Sequence, residues 1–305
     1  MVDVVIPVYE PTEQFYETIE RLCRQTVRPD KIIIMYTISG INERETELFK
    51  SSVAEIICRN DCEDTTLEVY AVDKKDFGHG KTRNQGVMKG NSPYVLLMTD
   101  DALPADKFLI QHMLEKFEGN DRSHGELSQV YARQTTTKKA KTYLKLTQKY
   151  NYPLETIYKT KEDYPTMGIK TIFCSDVCCM YRRDIWEYIG GFEEVDFNED
   201  MIFARRAIDA GYTVCYAADA VVIHFHDYNC RQQFKRNYEI ARSQKQNPDV
   251  FEGLSSSKEG MKMVKYVLKV LLARGHVLQF FYYIVWTGFK FAGYRVGKRS
   301  KKLNN

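Results

Sequence analysis

The chain has no long apolar run. The longest, Val277 to Phe289, is broken by Gln279, Thr287 and Gly288 and is too short to span a bilayer. Although there are 8 cysteines, they form no paired C-x-x-C units, which argues against structural zinc. The opening Met1-Val2-Asp3 carries no basic n-region or apolar h-region, so a cytoplasmic chain with reduced thiols is expected. Net charge is low, 44 Lys and Arg against 41 Asp and Glu, and gives no reason to invoke nucleic acid. A chain 44% hydrophobic and 28% charged is not a disordered one. No internal repeat or low-complexity tract occurs. No G-x-G-x-x-G follows the first apolar run, which disfavours a Rossmann oxidoreductase.

The 305 residues suffice for one large domain with an appendage, or for two small domains. Val2 to Ile6 reads as a strand, a helix follows from Thr12, and Lys31 to Tyr36 reads as a second strand. Strand, helix and strand at this spacing predict a βαβ unit and local parallel pairing. Further strands are predicted at Leu67 to Val72, Tyr94 to Met98, Gln129 to Arg133, Ile172 to Tyr181, Tyr212 to Tyr216 and Ala220 to His224. Helices are predicted at 82–89, 105–117, 138–150, 183–189 and 201–210, with Gly90, Gly190 and Gly211 as stops. From Asn229 onward the pattern is helical, broken by a polar linker at Glu252 to Lys258, and the chain closes in a basic tail with Lys298, Arg299, Lys301 and Lys302.

Four stretches carry candidate chemistry. Tyr94-Val95-Leu96-Leu97-Met98 runs into Thr99-Asp100-Asp101. Adjacent carboxylates at the carboxyl end of a buried strand suit a hard divalent cation, or else cap the following helix. In Phe77-Gly78-His79-Gly80-Lys81-Thr82-Arg83-Asn84, two glycines allow close backbone approach, and His79, Lys81 and Arg83 offer donors to phosphate or sugar hydroxyls. Glu199 and Asp200 open a helix, where the dipole favours acids and where one carboxylate could accept a proton. His224 and His226 stand two apart, on one face if the strand continues. The last two helices mix aromatics with Lys and Arg, fitting either a membrane surface or packing on the rest of the chain or on a second subunit.

In this order the pieces resemble family-two glycosyltransferases of the GT-A fold. Val4-Val5-Ile6-Pro7-Val8-Tyr9 is similar to that family's first strand and nucleotide-contacting loop. Phe77-Gly78-His79-Gly80 with Thr82-Arg83-Asn84, and the strand ending in Asp101-Ala102, resemble the bacterial rhamnosyltransferase branch. Glu199-Asp200-Met201 with Arg205 or Arg206, then Ala210-Gly211-Tyr212, resembles the family's "ED" segment, and His224-Phe225-His226 with Tyr228 resembles the branch's late histidine motif. The resemblance spans about residues 2–240. Departures are Tyr36-Thr37 where members carry an acid, Asp100 where the branch carries Gln, and Asp176 where Asn is usual.

The resemblance implies an α/β GT-A fold with a mostly parallel mixed sheet and a C-terminal helical extension. The catalytic domain would be 1–240, with a donor half to 102 and an acceptor half from 103, and the extension 241–305. It implies inverting transfer, with Asp200 as general base beside Glu199, and Mg2+ or Mn2+ held by Asp101, His224 and His226. Donor contacts fall to Pro7, Val8, Tyr9, Thr37, His79, Gly80, Arg83, Asn84 and Asp100, and acceptor contacts to Ser175 and Asp176. The implied donor is dTDP-rhamnose, with a UDP-linked hexose as alternative. The implied acceptor is a bacterial polysaccharide or lipid-linked oligosaccharide met at the inner face of the membrane, a homodimer being the other use of the last helices. A nucleotidyltransferase and a non-catalytic polysaccharide-binding protein are the readings from other classes.

Overall fold

The computed structural model describes residues 1–119, 124–254 and 257–300. The first half alternates strand and helix: β1 (Val2–Tyr9), α1 (Glu13–Cys23), β2 (Lys31–Ile38), α2 (Glu43–Arg59), β3 (Thr66–Asp73), α3 (His79–Val87) and β4 (Tyr94–Met98). The second half runs β5 (Leu103–Pro104), α4 (Leu109–Glu118), β6 (Leu127–Thr135), α5 (Thr142–Asn151), β7 (Ile157–Lys159), α6 (Tyr164–Met167), β8 (Cys178–Arg182), α7 (Arg183–Ile189), α8 (Glu199–Asp209) and β9 (Thr213–Ile223). The chain then becomes helical: α9 (Cys230–Gln246), α10 (Pro248–Phe251), α11 (Ser257–Ala273) and α12 (Val277–Arg299).

One nine-stranded sheet has the order β3-β2-β1-β4-β8-β6-β9-β5, with β7 paired to β9. The βαβ reading holds, since β1 lies parallel to both β2 and β4, and β2 to β3. β8 is antiparallel to β4 and β6, while β6 runs parallel to β9, so the sheet is mixed and its parallel block lies in the first half. Alternation sorts β1 onto two cores. Val4, Ile6 and Val8 pack with α1, α2 and α4 residues such as Phe15, Val53 and Met113. Val5 faces Val87 of α3, Trp186 of α7 and Phe203 of α8.

Two strand predictions change, and one unassigned stretch is helical. Residues 43–59, left unassigned by periodicity, form α2, whose cap is Asn42 accepting from the Glu45 N–H at 3.3 Å. The strand predicted from Ile172 begins only at Cys178, because the segment before it folds inward and buries Asp176 beside Arg83. Tyr212–Tyr216 and Ala220–His224 are not two strands but the single β9, whose pairing with β6 shifts register beyond Ala217. There the Ala218 carbonyl accepts from Arg133 Nε at 2.7 Å. Cys178 and Cys179 are core residues of β8, as expected.

The boundary expected at residue 240 falls inside α9. A third core joins α5 (Tyr143, Leu144, Leu146) to α11 (Met263, Val267, Leu271) and α12 (Tyr283, Trp286). α12 crosses α9 closely, since a Cβ on Gly293 would stand 2.2 Å from the Phe234 carbonyl oxygen. No helix among the described residues is long and apolar enough to cross a membrane. The centre of the predicted linker (255–256) and the tail residues Lys301 and Lys302 lie outside the described residues.

Candidate active site

The site lies where β1, β2 and β4 end together, the edge at which open α/β sheets expose their loops to ligands. Register places Tyr9 opposite Thr37. The Thr37 hydroxyl is buried without a hydrogen-bond partner among the described residues. Lys74 Nζ stands 4.4 Å above the Tyr9 ring. Beyond β4, Asp100 is pushed up to about 6 by burial and by Asp101, while the Tyr9 backbone N–H pulls the other way. The Asp101 carbonyl accepts from Gln14 of α1, which fixes the turn.

Asp101 meets the two histidines. Its carboxylate oxygens stand 3.5 Å from His224 Nε2 and 3.5 Å from His226 Nε2. The His224 N–H continues the sheet ladder to Thr135 O at 3.0 Å. Alternation then puts both imidazoles on one side, with ring centroids 4.7 Å apart, as the pattern predicted. Burial lowers both histidines, His224 to about 4, so each is neutral near pH 7 with a lone pair available. Among the described residues this is the one group of three or more His, Cys or acidic side chains whose ligand atoms come within 4.8 Å of one another. Donor atoms bound at about 2.1 Å to a common cation stand about 3 Å or more apart, so the set fits a divalent ion.

Gln134, absent from the sequence-based candidates, joins this triad to the loop that carries Ser175 and Asp176. Its Oε1 stands 3.0 Å from His224 Nδ1, and its Nε2 donates to Ser175 Oγ at 2.9 Å. Next to Ser175 lies a buried charge cluster. Arg83 pairs with Glu199 and, at 3.4 Å, with Asp176. Tyr181 OH donates to Asp176 at 2.5 Å, and the Asp176 N–H points to Asp200 Oδ2 at 3.4 Å. One guanidinium cannot neutralise three carboxylates in a poorly solvated place. Burial therefore raises Asp176 to about 6, and burial with Glu199 and Asp176 raises Asp200 well above the usual carboxylate range.

The structure divides the predicted donor contacts. Pro7, Val8, Tyr9, Thr37 and Asp100 lie at the sheet edge. Arg83 and Glu199 are buried and committed to each other. Both ends of Asn84 are taken by the Phe192 backbone, at 2.8 and 2.9 Å. A Cβ on Gly80 would stand 2.0 Å from the Glu193 carbonyl oxygen, so this glycine permits chain packing. His79, lowered to about 4 by burial and then by Arg83, opens onto a cleft of about 560 Å³ whose lining includes Phe197, Tyr228 and Arg236. Arg236 also lies 5.7 Å from the Tyr228 ring. Its place on α9, remote in sequence, left no signal to find it by. Gln134 left a faint one, a polar residue at a buried strand position.

Fold and site together define an α/β protein of the GT-A type, with one carboxylate and two histidines grouped where they could hold a metal ion. A family profile described as "Glycosyl transferase family 2" matches residues 3–190, and the chain belongs to that family. It is 30% identical over 308 residues to the O-antigen chain rhamnosyltransferase RfbN of Salmonella typhimurium, covering 99% of this chain and 91% of that protein. It is likewise 30% identical over 307 residues to the O-antigen chain rhamnosyltransferase WbaN of Salmonella anatum, covering 98% and 90%. Among solved structures it is similar to the mannosyltransferase PcManGT from Pyrobaculum calidifontis in complex with GDP-Man and Mn2+, with TM-score 0.62, 13% identity, and 99% and 87% of the two chains covered. It is also similar to S. aureus TarS 1-349 in complex with UDP-GlcNAc, with TM-score 0.55, 13% identity, and 98% and 90% covered. At these identities the structural likeness is one of fold. Family membership selects sugar transfer over nucleotidyl transfer and over binding alone.

Proposed function

We propose that the chain is an inverting, divalent-metal-dependent rhamnosyltransferase. It moves L-rhamnose from dTDP-rhamnose to a hydroxyl of a bacterial cell-surface polysaccharide or its lipid-linked precursor. The observation that carries this reading is the linkage of Asp101, His224 and His226, through Gln134 and Ser175, to the cluster holding Asp200. The near-full-length likeness to two O-antigen chain rhamnosyltransferases supports the sugar and the acceptor class. The unpartnered Thr37 hydroxyl at the sheet edge supports nucleotide contact there.

Bound at the triad, a divalent cation would neutralise the charge that grows on the departing nucleoside diphosphate. Two imidazoles and one carboxylate favour Mn2+ over Mg2+, which prefers oxygen ligands. Asp200 takes the proton from the acceptor hydroxyl as its oxygen attacks the anomeric carbon on the face opposite the leaving group. Arg83 fixes Glu199 and Asp176 around that base and keeps part of the local negative charge balanced.

The exposed face of α12 supports contact with the inner surface of the membrane. Leu278 is 87% and Phe281 62% exposed, with Val285 and Phe289 on the same helix. Residues 257–300 carry nine Lys and Arg against the single acid Glu259. Such a helix pairs an apolar ribbon with attraction to anionic headgroups.

The test is a panel of dTDP-rhamnose, UDP-hexoses and GDP-mannose with Mn2+, Mg2+ or EDTA, read as nucleoside diphosphate released in the presence of acceptor. Release is expected from dTDP-rhamnose with Mn2+ and not in EDTA. Asp200→Asn is expected to slow transfer by about 100- to 10,000-fold while calorimetric donor affinity is kept. Full activity in that variant removes the base assignment, and preference for a UDP-hexose removes the donor assignment.

A further inference from the structure

Behind the histidine segment lies a second pocket, of about 440 Å³, whose lining includes Arg133, Lys138, Lys145 and Lys149 and no carboxylate. Among the described residues none of these four cations forms an ion pair, whereas neighbouring Lys141 pairs with Asp227 at 2.7 Å and Lys116 with Asp219 at 2.6 Å. The pocket thus gathers four cations with no acid set against them. Arg133 is held by its Nε on the Ala218 carbonyl at 2.7 Å, leaving its terminal nitrogens for a ligand. Lys145 and Lys149 stand one turn apart on α5, and Lys145 reaches the Lys138 carbonyl at 2.6 Å.

The pocket adjoins the reaction site on the acceptor side. Gln134 and Gln148 both line it; the first holds His224 Nδ1, and the second donates to the His224 carbonyl at 3.1 Å. It also adjoins the helices bearing the exposed apolar ribbon, since Tyr143 of α5 packs 5.6 Å from Trp286 of α12. Several cations with hydroxyl and amide donors form a site for clustered phosphate oxygens.

We propose that this pocket binds a diphosphate that is part of the acceptor, the linkage between its sugar chain and a lipid. The inference rests on the sugar-transfer reading above and deepens it. Charge recognition here would select acceptors still attached to their carrier and hold the sugar end toward Asp200.

The first arm measures binding of inorganic pyrophosphate by calorimetry in EDTA, so that no metal-bound donor site contributes. Lys145→Ala with Lys149→Ala, both exposed positions, is expected to weaken binding about 10-fold or more. Lys145→Arg with Lys149→Arg should keep it. Equal affinity in wild type and the alanine variant overturns the proposal. The second arm compares transfer to an oligosaccharide on a lipid diphosphate with transfer to the same oligosaccharide on a neutral alkyl group, in neutral detergent. Wild type should prefer the diphosphate acceptor by about 10-fold in kcat/KM, and the alanine variant should lose that preference. A preference that persists in the variant, or that appears only when vesicles containing phosphatidylglycerol replace the detergent, overturns it; the latter would mean that the cations read headgroups. Absence of transfer from any nucleotide sugar would remove the sugar-transfer reading and the acceptor with it, whereas diphosphate binding stands or falls on the first arm.

Discussion

Asp200 shows how a side chain's surroundings set its chemistry. Alone at a helix start, an aspartate is an ordinary ionised carboxylate. Here burial, Glu199 and Asp176 hold its proton affinity well above the usual range. A base must be deprotonated to act, so kcat/KM should fall as pH drops through that raised value, with an acid limb above the ordinary carboxylate pKa of about 4. Asp176→Asn removes one of the two neighbouring negative charges and should move the limb to lower pH. A pH–rate profile of the two proteins checks this, and an unmoved limb assigns it to another group. Gln134 acts through a neighbour. With its Nε2 given to Ser175, its Oε1 accepts from His224 Nδ1–H, which leaves the His224 Nε2 lone pair facing Asp101. Gln134→Leu should therefore weaken Mn2+ binding by about 10- to 100-fold, read by calorimetry without any donor. Unchanged affinity would show that the ring holds its position without the amide.

At the scale of elements, the histidine segment is held by helices outside the sheet. Gln148 and Tyr143 of α5 reach the His224 carbonyl at 3.1 Å and Asp227 at 3.1 Å, and Trp286 Nε1 of α12 donates to the Tyr228 carbonyl at 2.8 Å. α12 thus both braces the histidine loop and presents Leu278 and Phe281 outward. The inner face, with Tyr283 and Trp286, is closed by packing, so the outer ribbon can be altered separately. Leu278→Glu with Phe281→Glu should abolish flotation with liposomes containing anionic lipid and leave the thermal midpoint nearly unchanged, because neither side chain is buried. If wild type fails to float, the ribbon has another occupant, a second copy of the chain being the first to examine by sedimentation.

Across the whole molecule, the proposed metal site ties the end of β4 to the segment after β9, on opposite sides of β8 and β6 in the sheet. A cation bound only by the folded chain stabilises it, by about 2.7 kcal/mol at one hundred times its Kd. Thermal unfolding should shift upward in Mn2+ over EDTA, and Asp101→Ala should remove the shift. In the parallel first half the strands and α1 were legible in the sequence, because short apolar runs and the stripe Phe15, Ile19 and Leu22 are local signals. The histidine pair was legible too, since spacing of two on a strand fixes a common face. Residues 43–59 were not, because their apolar positions are sparse and their capping residue Asn42 also reads as a turn. Nor could spacing separate the duties of Arg83 and Asn84, adjacent in sequence, one buried among carboxylates and the other clamped on the Phe192 backbone. By itself the sequence determined the parallel βαβ pairing of the first two strands and the kinds of side chain brought to the sheet edge. Only the tertiary structure decided that Gln134 and Arg236 join them and that one arginine faces three acids, because those contacts link elements far apart in the chain and depend on how helices pack across the sheet, which no local pattern encodes.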